Sequence, residues 1–440
     1  MNNKFLEMED NMGGIKKRVL VTTVDTWCGI TGNDSMAVLM SQYGKENVAS
    51  LSIRADYANT DAASQYFHIL EGEVFRSIFR TTVKTGEKYV FDPNRRNTDS
   101  DDFNKEGQRY AKFRKHRWGI FILAREVMWK LGKWKSEELE RFLDKVNPEV
   151  LICPLESYIH FNRINEYIIK TRKPKVIGIL WDDNFTYKQN HRWWHMIHRY
   201  FLRKGVKRMV KNCSVVFATS PKMKEECDKE FGINSVLLSK PVFNLKGYNP
   251  YEVNTPIRIL YTGNLYVGRD KTMVKIAKAL DSINHEGIKV VLDIYTNTAL
   301  SDKGRAAIER QGYCTIHPPV PSSEVKGLQE NADVLLFAEA IGDNANKSAR
   351  LSFSTKITDY FGAGKCIWAV GHPDLGPMDY MQRCDAALIS NDDYSILSVL
   401  KNMVADTSLI NKYAEKGVQC GLKNHNGEQI LETLYYYIDN

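Results

Sequence analysis

Residues Ser352–Val370 read SFSTKITDYFGAGKCIWAV, and the fold class turns on how this stretch divides. Its end, Cys366–Val370 (CIWAV), is an unbroken apolar run, the pattern of a strand buried on both faces. Ahead of it Ser354 and Thr355 are capping residues, and a helix is expected over Lys356–Ala363. Gly362 and Gly364 let that helix stop and the strand begin at once. A helix start carries unpaired N–H groups and positive potential, so it holds anions. Lys356 adds a full charge at that point. Asp359 lies three residues on, on the same face. A carboxylate there can accept hydrogen bonds from two neighbouring hydroxyls, as a ribose presents.

The same alternation runs outward from this stretch. Strands are expected at Lys17–Thr23, Val150–Pro154, Lys175–Trp181 and Cys213–Thr219. The last is followed by Ser220-Pro221 and a charged helix that stops at Gly232, a well-formed start and stop. A second series starts with a strand at Ile257–Thr262 and a helix from Lys271 to Ile283. It adds strands at Lys289–Tyr295 and Asp333–Phe337, and a closing helix at Gly427–Ile438. Apolar strands alternating with helices mean an α/β chain with parallel sheets covered on both faces. A length of 440 residues suits two domains better than one. The polar stretch Asn244–Pro256 reads as their linker. Doubly wound domains hold ligands at the carboxyl ends of their strands, so the cleft between two of them is the natural site.

Hydrophobic content of 43% with 26% charged residues is that of a globular chain. No apolar run approaches the ~18 residues a membrane span needs, and the first residues lack a signal-peptide pattern. The eight cysteines show no C-x-x-C spacing and read as reduced, buried thiols of a cytoplasmic protein. The net charge of +8 is unevenly placed: Lys105–Lys135 carries +8 and Asn190–Lys211 carries +7, which leaves −7 elsewhere. Both segments interleave bases with aromatics, among them Trp118, Trp129, Trp193 and Phe201. That suits helices lying on an anionic membrane. It suits equally well helices that cover a sheet and show solvated bases. No nucleic-acid motif accompanies the charge, so nucleic acid is not expected as a partner.

The run Ser354-Thr355-Lys356-Ile357-Thr358-Asp359-Tyr360, continued by Gly364-Lys365-Cys366-Ile367, resembles the GT-B glycosyltransferases of family 4. There a pattern P/S-x-K-x-x-E/D-Y-x-x-x-G-K-P-I precedes a buried strand. The resemblance implies the GT-B fold: two Rossmann-like, doubly wound domains facing a central cleft. It implies an acceptor domain over residues 1–245, a donor domain over 256–426, and a helix over 427–440 packing back on the first. Asp359 is then the ribose ligand, and Ser354 and Thr355, helped by Lys356, bind the pyrophosphate. The turn after the strand 257–262 is implied to touch the donor phosphates. Gly263 suits close backbone approach, Asn264 stands where the family has Arg, and Arg269 or Lys271 supplies the charge. Gly263 and Gly268 have P-loop spacing, but Arg269-Asp270 replaces the required Lys-Ser/Thr. Pro319 and Val320 are implied to line the base pocket, although a plain turn fits them as well.

In the first domain the resemblance sets a polar active-site residue after the strand 175–181. Asp182 or Asp183 takes that place, as the base of an inverting transfer or the support of an oxocarbenium-like state in a retaining one. The pair also fits helix capping. The glycine loop with Gly29, Gly32 and Asn33 is implied to face the donor phosphate or the acceptor. Glu156 and His160 are weaker candidates. Family members often carry a second Glu eight positions before the ribose acid; Leu351 stands there, so the motif says little about which sugar is moved.

The implied activity is transfer of a sugar from a nucleotide-diphosphate sugar to a glycan or lipid-linked acceptor, in surface polysaccharide or other glycoconjugate synthesis. The implied location is cytoplasmic, or peripheral at the inner membrane face. Two other readings stay open: a sugar-nucleotide epimerase or hydrolase of the same fold, and a non-catalytic nucleotide-binding domain pair. No cofactor and no metal is expected. No His/Cys/Asp cluster has ligand spacing, and Asp99-Ser100-Asp101 lies in a polar insert rather than at a strand end. Gly29-x-x-Gly32 lacks the spacing of a dinucleotide-binding oxidoreductase.

Overall fold

The computed structural model describes residues 16–27, 35–54, 56–80, 82–94, 119–189, 193–243, 245–342 and 350–440. The first sheet holds β1 (Val19–Thr22), β2 (Val48–Ser52), β3 (Gln65–His68), β4 (Glu87–Tyr89), β5 (Val150–Pro154), β6 (Lys175–Leu180), β7 (Val215–Ala218) and β8 (Val236–Leu237). Their order is β4-β3-β2-β1-β5-β6-β7-β8, and every pair is parallel except β3 with β4. The second sheet holds β9 (Ile257–Thr262), β10 (Val290–Tyr295), β11 (Cys314–His317), β12 (Val334–Ala338), β13 (Cys366–Val370) and β14 (Leu388–Ser390). It is parallel throughout, in the order β11-β10-β9-β12-β13-β14.

The apolar runs explain the layers. Along β9 to β13, alternate residues face opposite sides. Ile259, Leu292, Leu336 and Trp368 pack on one side with the helices Arg269–Ile283 and Asp393–Ala405. Leu260, Leu335, Phe337 and Ile367 pack on the other with Thr355–Ala363 and Gly376–Arg383. Each such buried side chain stabilises the fold by about 1.5–3 kcal/mol. The helix Pro221–Phe231 has the expected ends: Ser220 Oγ accepts from Met223 N, and Gly232 closes it at φ 67°. The motif helix spans Thr355–Ala363, one residue earlier than the capping pair suggests. Ser354 is its N-cap without a side-chain cap bond, and Gly364 ends it at φ 67°.

Two segments cross from the second half to the first. The helix Gly427–Asp439 buries Leu431, Leu434 and Ile438 against Val19, Val150, Ile177 and Phe217 of the first sheet. Leu351 joins the core on that sheet's other side, with Leu151 and Phe185. No helix among the described residues is long and apolar enough to cross a membrane. The seven described cysteines are free thiols. In each sheet the chain reverses its direction of strand addition once. The reversal falls between β1 and β5 in the first, and between β9 and β12 in the second. Crevices open at the carboxyl ends of the strands at such points.

Candidate active site

The crevice of the second sheet gathers the motif residues. β9 ends at Thr262, and Gly263 follows at φ 147°, its N–H bonded to Tyr295 O at 2.9 Å. A Cβ at Gly263 would run into Lys356 Nζ, so glycine is what lets the amine sit against this turn. The same amine lies 5.0 Å from the Tyr261 ring centroid. Burial, then the nearby Arg269, bring the Lys356 pKa down to about 8. Arg269 opens the helix Arg269–Ile283 and is held from two sides. Its Nε and Nη2 donate to Glu339 at 3.0 and 2.6 Å, and its Nη1 donates to Asn264 Oδ1 at 2.7 Å. Burial works against the Arg269 charge, but the Glu339 bonds outweigh it and raise its pKa. Arg269 is therefore neutralised by Glu339 at the end of β12, and Lys356 is the cation left beside Gly263. Lys271 is exposed. It stands two positions from Arg269, about 200° around the helix, and does not join this group.

Asp359 lies one turn inside the motif helix, exposed, with Lys240 of the first half 3.2 Å from its carboxylate. Pro319 is exposed and Val320 half-buried in the loop after β11. Two strand spacings, roughly 10 Å, separate that loop from β9. The gap is bridged by Tyr295, whose ring stacks on His317 with centroids 4.5 Å apart, while His317 Nε2 lies 2.7 Å from Asp293. Neither Tyr295 nor Glu339 nor Lys240 stands out in the sequence, because each acquires its place only when separate strand ends meet.

Across the cleft, acids follow three adjacent strands of the first sheet: Asp25 after β1, Glu156 after β5 and Asp182 after β6. Asp25 is paired with Arg54 at 2.8 Å. Burial, then the charges of Asp182 and Asp25, push the Glu156 carboxyl up to about 8. Asp182 is open to solvent at its own surface, yet the protein packed around the cleft raises its pKa, and Asp183 adds to the effect. Ser352 Oγ donates to Asp182 Oδ1 from the second half.

Asp183 has a different setting. Its side chain is fully buried, and Thr186 donates to it through N at 3.0 Å and Oγ1 at 2.6 Å. Arg199 donates at 3.1 Å, and Arg350 at 3.2 Å from the second half. Arg350 also grips Glu226, with Nη2 to Oε2 at 2.7 Å. His160 stacks on Trp129 with centroids 4.6 Å apart and bonds Glu126, inside the first half. Gly29, Gly32, Asn33, the Asp99–Asp101 stretch, residues 105–118 and residues 190–192 lie outside the described residues.

No family model matches the chain, and no curated protein does. Solved structures do. HepE of Anabaena, crystallised in complex with UDP, superposes with a TM-score of 0.63 over 96% of this chain and 99% of its own, at 8% identity. Sucrose-phosphate synthase of Thermosynechococcus elongatus reaches 0.60 over 96% and 98%, at 12% identity. The UDP-forming α,α-trehalose-phosphate synthase of Burkholderia xenovorans, in complex with glucose-6-phosphate, reaches 0.56 over 96% and 100%, at 11% identity. Two sheets with flanking helices, one parallel throughout and one parallel but for its β3–β4 edge, are matched end to end by these structures and give this chain the GT-B fold.

Proposed function

We propose that the chain moves a sugar from a nucleotide-diphosphate sugar to a glycan or lipid-linked acceptor, in surface polysaccharide or other glycoconjugate synthesis. One observation carries this reading: the Lys356 amine seated on Gly263 beside the start of the helix Thr355–Ala363, at the reversal point of the second sheet. A helix start, a buried ammonium and a bare backbone turn are together the means of holding a diphosphate. In this arrangement Ser354 and Thr355 offer hydroxyls to the phosphates. Asp359, steadied by Lys240, accepts from the ribose hydroxyls. Tyr295, His317 and the Pro319-Val320 loop form a ledge for the base. Positive charge at the diphosphate comes from Lys356 and the helix start, and the reading calls for no metal or cofactor.

The sugar then points toward the acids of the first sheet. Asp183 is not offered as the base, since both its oxygens are taken up by buried donors. Glu156, its carboxyl pushed up to about 8, suits proton exchange with an acceptor hydroxyl near neutral pH, and Asp182, its pKa raised by burial, is the second acid at that strand edge. HepE, itself solved with UDP and with UDP-glucose, supports a uridine nucleotide as the first to try.

The test is a thermal-shift panel of nucleoside diphosphates and their sugars. A true donor at a hundredfold excess over its Kd stabilises the protein by about 2.7 kcal/mol, and sugar should then pass to an added acceptor. If none of the nucleotides shifts the melting temperature, the reading is wrong. Turnover of the donor at full rate without any acceptor would favour an epimerase or hydrolase instead.

A further inference from the structure

More than half of the exposed large apolar side chains among the described residues stand on three helices of the first half: Glu71–Phe79, Gly119–Leu131 and Trp193–Asn212. These helices adjoin. Arg125 pairs with Glu71 at 2.5 Å, Lys133 N donates to Ser77 Oγ at 2.9 Å, and Glu126 lies 3.8 Å from His198.

Their polarity is the reverse of that of ordinary water-facing helices. The acids are engaged inside: Glu71 with Arg125, Glu73 with Gly86 N, and Glu126 with His160. The helix Trp193–Asn212 contains no acid. What faces out is aromatic, aliphatic and basic. On the first helix Phe75 and Phe79 are 52% and 74% exposed, their rings 5.6 Å apart, with Arg76 between them. On the second, Val127 and Leu131 share a face and flank exposed Lys130. On the third, Tyr200 and Phe201 are followed by exposed Lys204 and Lys207, with Lys204 Nζ 4.6 Å from the Tyr200 ring. None of the exposed positions of the three helices is acidic. A soluble face mixes both signs, whereas large apolar residues ringed only by bases match the acyl boundary and headgroups of an anionic bilayer.

We propose that these three helices form a docking face for an anionic lipid bilayer. The helix of Tyr200 and Phe201 is tied to the segment that carries Asp182, because its buried Arg199 donates to the neighbouring Asp183 at 3.1 Å. A lipid-borne acceptor would thus arrive beside the acids of the first sheet, a consequence that rests on the function proposed above, although docking itself does not.

Flotation of the full chain with vesicles tests the proposal. Vesicles of equal parts phosphatidylcholine and phosphatidylglycerol should carry the protein, and phosphatidylcholine alone should bind it at least about tenfold less, with the difference shrinking in high salt. Phe79→Ser with Phe201→Ser, and separately Arg76→Glu with Lys204→Glu, should each cut anionic-vesicle binding about tenfold or more. The thermal shift with UDP, measured on the same variants, should stay as in the unaltered protein. That confirms folding and separates a failure of docking from a failure of the nucleotide reading. Equal binding to both vesicle types, no binding, or binding that both variant pairs leave intact would overturn the proposal. So would self-association that Phe79→Ser with Phe201→Ser abolishes, since the face would then be an interface between copies.

Discussion

Glu156 stands at the carboxyl end of β5 between strands whose ends carry Asp25 and Asp182, and its pKa of about 8 follows from burial first and those two charges second. In the unfolded chain the same carboxyl ionises near 4.5. The folded state therefore holds the proton more tightly. Its contribution is intact below about pH 4.5 and is lost as the pH rises through about 8. Glu156→Gln removes this loss. The variant should gain about 1–3 kcal/mol relative to the parent between acidic and mildly alkaline pH. Melting curves from pH 4 to 9 check it: parallel curves for parent and variant would show that Glu156 is not perturbed. The neighbouring Asp182 and Asp183 look alike in the sequence, two acids after an apolar strand. Burial separates them. Asp182 faces the cleft with one hydroxyl partner, while Asp183 turns inward to Thr186, Arg199 and Arg350. Which of two adjacent acids turns inward depends on arginines far away in the chain, so no local pattern reveals it.

At the scale of elements, the turn after β9 and the start of the motif helix act as one unit. Gly263→Ala places a methyl where the Lys356 amine rests, at a backbone φ of 147°. The amine is the flexible end of its side chain, so the protein should fold, at a cost of about 1 kcal/mol. The displaced ammonium no longer reaches a bound diphosphate. Loss of a charged hydrogen bond, worth about 1.5–3 kcal/mol, weakens nucleotide binding about 10- to 100-fold. Titration calorimetry with UDP should show this for Gly263→Ala and for Lys356→Ala alike. A Gly263→Ala protein that binds as the parent does would refute the arrangement. This unit was legible because every part has a chemical signature: a capping pair, a lysine, two glycines and the strand CIWAV. Likewise VLICP and KVIGIL are long enough to declare themselves as β5 and β6. Gln65–His68, Glu87–Tyr89 and Leu388–Ser390 are short and partly polar, and they are strands only because a neighbour supplies the ladder.

At the scale of the molecule, the two halves are joined by what the motif lacks. Leu351 occupies the position where the glycosyltransferases that the motif resembles often have an acid, and it is buried in the core of the first sheet. Arg350 beside it has a side chain 2% exposed and binds both Asp183 and Glu226, so it is the centre of a buried ion group. Ser352 completes the crossing with its bond to Asp182. Two residues later comes the N-cap of the motif helix, so under the proposed function a diphosphate held at that helix start would be coupled to a segment anchored in the other half. Removing one partner of a buried ion group, rather than the whole group, leaves a charge stranded and costs about 3–5 kcal/mol. Arg350→Met should cost less than that, because Asp183 keeps Arg199 at 3.1 Å and Glu226 keeps Lys188 at 3.0 Å, but it breaks the buried contact between the halves. The parent protein should melt in one calorimetric transition that UDP raises as a whole. In Arg350→Met the transition should split, with the first half melting earlier and only the later transition answering to UDP. A variant that still melts once, and moves with UDP as the parent does, would mean that the helix Gly427–Asp439 and surface pairs such as Lys222–Asp374, Lys240–Asp359 and Arg383–Glu225 suffice to hold the halves.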